Sequence, residues 1–289
     1  MSIRSLIAGV LLGTSTSAGA PPEVEAAYEK GEIEVPVAEG TRTIPYRLHR
    51  PEDASSDEPR PLVIFLHGAG ERGDDNQSQL RHFPDRWIRE SHLGRRHPAH
   101  VLAVQCPRDR SWSGMMKGED GTWRQDTSAQ STPELRAVMK KVTELSKDPS
   151  VDPTRLYLTG LSMGGFGSWA LLEDHPETFA AAVPICGGGD PSAAKIIAEG
   201  GTPIWNVHGD ADRVILVGQS RAMVDGIRGE GGRVGHTELP GVGHDSWSWA
   251  YGPGGVVEWM FAQRHPRPAP PAAPVVVEKA PVDGADDGG

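Results

Sequence analysis

Gly160-Leu161-Ser162-Met163-Gly164 sets a serine between two closely spaced glycines. A serine hydroxyl is a weak nucleophile at neutral pH and needs a histidine base that is itself oriented by a carboxylate. Both groups follow downstream, in the order serine, acid, histidine expected of a strand-to-helix nucleophile elbow. His208-Gly209-Asp210-Ala211-Asp212 carries two carboxylates just past an apolar run, and Gly241-Val242-Gly243-His244-Asp245 presents an imidazole in a glycine-rich turn. The chemistry this spells is acyl transfer through a covalent serine intermediate.

Of the 11 histidines, His244 has the free loop that the base requires. His236 lies within a predicted strand. His208 stands too close in sequence to the acid to be its partner and is assigned to its own loop. His175 ends the helix after the serine and is read as a cap. Asp212 is preferred to Asp210, which directly follows a glycine and suits a turn former. The assignment is Ser162 nucleophile, His244 base then acid, Asp212 orienting carboxylate. Such a site also needs two backbone amides aimed at the developing oxyanion, one from the residue after the serine and one from an earlier strand end. Met163 supplies the first, and Leu66-His67-Gly68-Ala69-Gly70 supplies the second through Ala69, with Gly70 as its neighbour.

These residues need strands to carry them. Glu32–Ala38 and Thr41–His49 alternate polar and apolar residues about Glu39-Gly40, which predicts an antiparallel hairpin. Leu62–Leu66, Val101–Cys106, Leu156–Thr159, Ala181–Ile185 and Ile204–Val207 are short apolar runs suited to strands buried on both faces, and the more polar Gly235–Leu239 suits an edge. Between them lie helical segments. Leu135, Val138, Met139, Val142 and Leu145 form one stripe behind an N-cap at Ser131 or Thr132. Gly165–Leu172, Ser220–Ile227 and Val256–Phe261 give three more. Alternating strands and helices predict an α/β fold, a mostly parallel sheet with helices on both faces, whose function gathers at the carboxyl ends of the strands.

Composition bounds the rest. With 29 Lys+Arg against 39 Asp+Glu the net charge is −10, the wrong sign for a general nucleic-acid binder. Gly 36 and Pro 25 are high and hydrophobic content is 37%, values the two ends help to explain. Met1–Ala20 has Arg4, an apolar stretch and an Ala-Gly-Ala finish, the pattern of a secretory signal peptide, with a run too short to span a bilayer. His265–Gly289 is rich in Pro and Ala with an acidic finish and reads as a disordered tail. One catalytic domain over residues 21–264 is left between them, placed outside the cytoplasm.

The chain resembles the α/β-hydrolase superfamily, and within it secreted esterases of the dienelactone hydrolase-like, phospholipase/carboxylesterase and polyhydroxyalkanoate depolymerase-like kinds. The resemblance rests on Leu66-His67-Gly68-Ala69-Gly70-Glu71-Arg72-Gly73, Gln105-Cys106-Pro107, Leu158 to Gly165, Pro184 to Asp190, His208 to Asp212 and Gly243-His244-Asp245-Ser246-Trp247. It implies an α/β-hydrolase fold and a carboxylic ester hydrolase, with Ser162, Asp212 and His244 on the triad positions. Small-molecule or polymer-linked esters are the implied substrates, and the chemistry requires no metal or organic cofactor. Other acyl enzymes on the same triad, a peptidase or an acyltransferase, are the alternative, and a non-catalytic binder comes third.

Four further expectations follow. Glu71-Arg72-Gly73-Asp74-Asp75-Asn76 is read as a solvated or salt-bridged loop in preference to a metal site. Trp247 and Trp249 are read as packing in preference to a substrate wall. The polar stretch Trp112–Ser131 is a candidate for shaping the substrate pocket. In the fold's usual strand order two strands separate Cys106 from Cys186, beyond the reach of a disulfide, so two free, buried thiols are expected.

Overall fold

The computed structural model describes residues 19–114, 116–117, 123–124 and 131–266. Residues 1–18 of the leader, the tail beyond Pro266 and most of the Trp112–Ser131 stretch lie outside the described residues.

The apolar runs are strands: β1 (Glu29–Val37), β2 (Gly40–His49), β3 (Arg60–Leu66), β4 (His100–Val104), β7 (Val151–Leu161), β8 (Ala181–Ile185), β9 (Ile204–Gly209) and β10 (Val234–Leu239). Between β4 and β7 a separate two-stranded ribbon pairs β5 (Met116–Lys117) with β6 (Trp123–Arg124). The main sheet has eight strands in the order β1-β2-β4-β3-β7-β8-β9-β10. β1, β2 and β4 pair antiparallel, and every neighbouring pair from β4 to β10 is parallel. Along β3 the side chains divide by the two-residue period: Leu62, Ile64 and Leu66 enter one core, Val63 and Phe65 the other.

Several strand bounds differ from the sequence expectation by a few residues, and at two of them the backbone shows why. The hairpin pairs Val37 with Gly40, which places the turn at Ala38-Glu39. Gly40 adopts φ +99°, a backbone state that suits glycine alone, so it opens β2. β4 stops at Val104 because Gln105 N–H still reaches its in-register partner Pro45, which as a proline has no N–H to return, and the Cys106 amide then leaves the ladder for His67 Nε2.

Helix α3 (Pro133–Leu145) buries the whole expected stripe, and Thr132 Oγ accepts the Leu135 amide as its cap. α4 (Met163–Asp174) follows β7 directly and is buried from Met163 to Leu172. α6 (Gly218–Gly229) and α8 (Val257–Phe261) match the other two predicted helices. α1 (Pro22–Ala26), α2 (Phe83–Arg89), α5 (Ala194–Gly200) and α7 (Trp247–Ala250) were not legible, because so few residues barely sample a 3.6-residue period. Cys106 and Cys186 are free and buried, with β3 and β7 between the strands they follow.

The chain runs from β3 to β4 on one side and returns to β7 on the other. Connections therefore part between the carboxyl ends of β3 and β7, the crevice where such sheets bind ligands. Helix α4 packs tightly there. A Cβ on Gly160 would overlap the Gly164 carbonyl, and one on Gly164 would overlap the Leu66 carbonyl at the end of β3. A Gly164→Ala protein is expected to lose about 3 kcal/mol, the upper end of overpacking costs, read as a lower urea midpoint at unchanged m-value. A wild-type midpoint would contradict this packing.

Candidate active site

Ser162 sits on the turn between β7 and α4 with φ +55° and ψ −116°, a strained state for a residue with a side chain. Its N–H donates to the Ile185 carbonyl, which fixes the turn against β8. His244 Nε2 lies 2.9 Å from Ser162 Oγ, and His244 Nδ1 lies 2.7 Å from Asp212 Oδ2. The partners decide the tautomer. Ionised Asp212 only accepts, so Nδ1 carries the proton and Nε2 is left to accept from the serine hydroxyl.

Asp212 is 4% exposed. Burial alone would raise its carboxyl, but hydrogen bonds from His208, His244 and the amides of Ile215 and Val214 hold it far below the ordinary carboxylate range. Oδ1 accepts the Val214 and Ile215 amides at 2.8 and 3.0 Å. Asp210 does a different job: its exposed Oδ1 accepts the Gly241 amide at 2.7 Å, tying the end of β9 to the loop that carries His244. That loop crosses so close that a Cβ on Gly209 would overlap the Val242 and Gly243 carbonyls. His236 lies in β10 and faces Glu238 at 3.1 Å.

His208 departs from expectation. Its Nε2 approaches Asp212 Oδ2 at 3.2 Å as well as the Ile215 carbonyl at 2.9 Å, so it does touch the acid. The chain folds Asp212–Ile215 back over the strand end, and nearness in sequence is no bar to contact. His67 and Trp112 were likewise not assigned roles. His67 is wholly buried; its Nε2 accepts the Cys106 amide at 2.9 Å, so its Nδ1 carries the proton that meets the Gly68 carbonyl at 2.6 Å. Trp112 Nε1 donates to the His67 carbonyl at 2.9 Å. Together they hold the Gly68-Ala69-Gly70 backbone. A Cβ on Gly68 would stand 3.7 Å from Ser162 Cβ, so this loop lies directly beside the serine. The signal was a repeated one: His67-Gly68 and His208-Gly209 both end parallel strands.

The loop after it is pinned. Buried Glu71 faces His82 at 3.4 Å, and Asp75 accepts from Ser78, Gln77 and Gln105, bonds that outweigh burial and bring it down to about 2. Trp247 stands edge-on to His244 and to His82, with ring centroids 5.4 and 5.3 Å apart, while Trp249 is 42% exposed. Cys186, Asp212 and His244 offer ligand atoms within 4.8 Å of one another. Burial pushes the Cys186 thiol far up, so in the absence of a metal it holds its proton.

Burial also lowers His67 to about 4, against 6.5 in the unfolded chain. Between those values the unfolded state takes up a proton that the fold refuses, so stability falls as pH drops through this window. His67 alone accounts for about 3 kcal/mol between pH 6.5 and 4. Urea titrations across that range should fall less steeply in His67→Gln than in wild type; equal slopes would contradict the assignment.

Comparison with known proteins agrees with this architecture. Residues 53–250 match the Phospholipase/Carboxylesterase family. NocK of Nocardia uniformis subsp. tsuyamanensis, named as an esterase, is 28% identical over 72% of this chain and 63% of its own. Poly(3-hydroxyalkanoate) depolymerase C of Paucimonas lemoignei is 30% identical over 44% of this chain and 28% of its own. The crystal structure of a thermostable esterase superposes with TM-score 0.73 at 37% identity, over 83% of this chain and 64% of that one. The chain thus spans under two thirds of each of these relatives. The matched residues run from before β3 through α7 and take in the serine turn, both strand-end histidines and the His244 loop: the chain belongs to the phospholipase/carboxylesterase family of α/β-hydrolases.

Proposed function

We propose that this protein is an exported serine carboxylesterase that works through Ser162, His244 and Asp212. The observation that carries the reading is the line of hydrogen bonds from Asp212 through His244 to Ser162 Oγ, at 2.7 and 2.9 Å, which runs from beyond β9 and β10 back to the end of β7, beside the crevice. Ser162 Oγ attacks the ester carbonyl while its proton passes to His244 Nε2. The carbonyl oxygen becomes an oxyanion, held by the amides of Met163 and Ala69. The amino end of α4, 12 residues long, adds the positive end of its dipole. His244 then gives the proton to the departing alkoxide, leaving an acyl-serine. A water molecule deprotonated by His244 attacks the acyl carbon, and the returning proton regenerates Ser162 as the carboxylic acid leaves. Asp212 stays ionised throughout and stabilises the imidazolium.

The substrate class is a carboxylic ester, small or polymer-linked, which is consistent with similarity to both an esterase and a polyester depolymerase. Export follows from the leader pattern in Met1–Ala20. With p-nitrophenyl acetate, Asp212→Asn is expected to lower kcat about 10⁴-fold by favouring the wrong imidazole tautomer. Asp210→Asn keeps kcat within about threefold of wild type, since its latch is exposed. The reverse order of severity would overturn the acid assignment.

A further inference from the structure

His208 is wholly buried and has no part in the mechanism above. Among the described residues, its Nδ1 meets Ser220 Oγ at 2.7 Å, and its Nε2 meets the Ile215 carbonyl at 2.9 Å and Asp212 Oδ2 at 3.2 Å. Ser220 Oγ also lies 2.8 Å from the Gly187 carbonyl. Both carbonyls and the carboxylate only accept, and Ser220 has a single hydrogen to give.

Three proton arrangements are open to the ring. A neutral ring protonated on Nδ1 would turn its Nε2 lone pair on the Ile215 carbonyl and the Asp212 carboxylate. A neutral ring protonated on Nε2 would take the Ser220 hydrogen, leaving Ser220 Oγ and the Gly187 carbonyl as two acceptors in contact. Only a ring with both nitrogens protonated satisfies every group: Nδ1–H donates to Ser220, Ser220 donates to Gly187, and Nε2–H is shared between Ile215 and Asp212. Buried groups left facing like partners are costly.

From this geometry we infer that His208 is an imidazolium, a built-in positive charge that forms a buried ion pair with the triad carboxylate and tunes His244 through it. His208 Nε2 and His244 Nδ1 address the same atom, Asp212 Oδ2. The cation therefore offsets part of the negative charge that would otherwise favour protonated His244, and keeps the base free to lower pH. It also compensates Asp212, whose side chain is fully buried, where a lone carboxylate is unfavourable. The other charged and titratable groups around it are few. Cys186 stays a thiol, burial lowers His236 so that it adds no charge, and Glu238 beside it is matched by Arg221 of α6. His208 is thus a positioning residue, and the kinetic part of the inference rests on His244 being the base proposed above.

Two measurements on the full chain test it. In protein labelled with ¹⁵N-histidine, the signals of His208, assigned by their loss in His208→Gln, should report protons on both ring nitrogens. In His208→Gln, the acid limb of the kcat/KM profile for p-nitrophenyl acetate should move up by about one pH unit, the size expected of a like charge within ~6 Å. A merely structural role would loosen the Asp212–His244 contact and move the limb down. An unprotonated His208 nitrogen, or a limb that stays put or falls, overturns the inference. If His208→Gln does not fold, a double ¹⁵N-labelled and Ser220→Ala comparison assigns the resonance, and the wild-type protonation decides. The nitrogen spectrum does not depend on catalysis, so it can fail while the esterase reading stands, and hydrolysis can fail while the spectrum stands.

Discussion

The amino end of α4 lies against the carboxyl end of β3 with backbone touching backbone, Gly164 on the Leu66 carbonyl. The rest of the site depends on that contact. Because the helix begins so close to the sheet, the preceding turn must be tight, and Ser162 is held at φ +55°. The same closeness brings Gly68, just beyond β3, beside Ser162 Cβ. The Ser162 hydroxyl, a helix amino end and a second stretch of free backbone are thereby set within one small volume. Acyl transfer requires all three, and local strain is maintained because buried packing on both sides leaves the chain no alternative.

Three histidines follow the strands of this sheet, and their partners give them three different jobs. His67 accepts an amide on Nε2 and donates to a carbonyl on Nδ1, which makes it a neutral brace for the loop beside the serine. His244 faces a carboxylate on one side and a hydroxyl on the other, so it can take and return a proton. His208 faces a hydroxyl through Nδ1 and a carbonyl and a carboxylate through Nε2. In the proposed scheme identical side chains serve as brace, base and fixed charge through hydrogen-bond inventory alone. Asp212 joins two of them, which explains why so buried a carboxylate stays ionised.

Much of this was readable in the chain and some was not, for identifiable reasons. The serine turn is encoded within five residues, and the glycines on either side report a close approach that the structure contains. Asp212 and His244 could be paired because the acid and base must follow the serine in a set order. The stripe from Leu135 to Leu145 is long enough to display its period, whereas α2 and α5 have seven residues each and display none. His208 was misplaced because its contact with Asp212 arises only when the loop through Ile215 folds back. His67 and Trp112 act on backbone atoms, and no pattern of side-chain types marks such a partner. The end of β4 was overrun because Cys106 is apolar like the strand before it, yet its amide is claimed by His67.

The proposed mechanism requires that folding alone activate the Ser162 hydroxyl. A fluorophosphonate probe reacts only with a serine whose hydroxyl is activated and whose oxyanion is supported, so it reads the claim without choosing a substrate. Digestion and mass mapping of the labelled protein should find one adduct, on the peptide containing Ser162, lost on unfolding in urea and absent in Ser162→Ala. An adduct at another serine, or no adduct on the folded protein, would contradict the account.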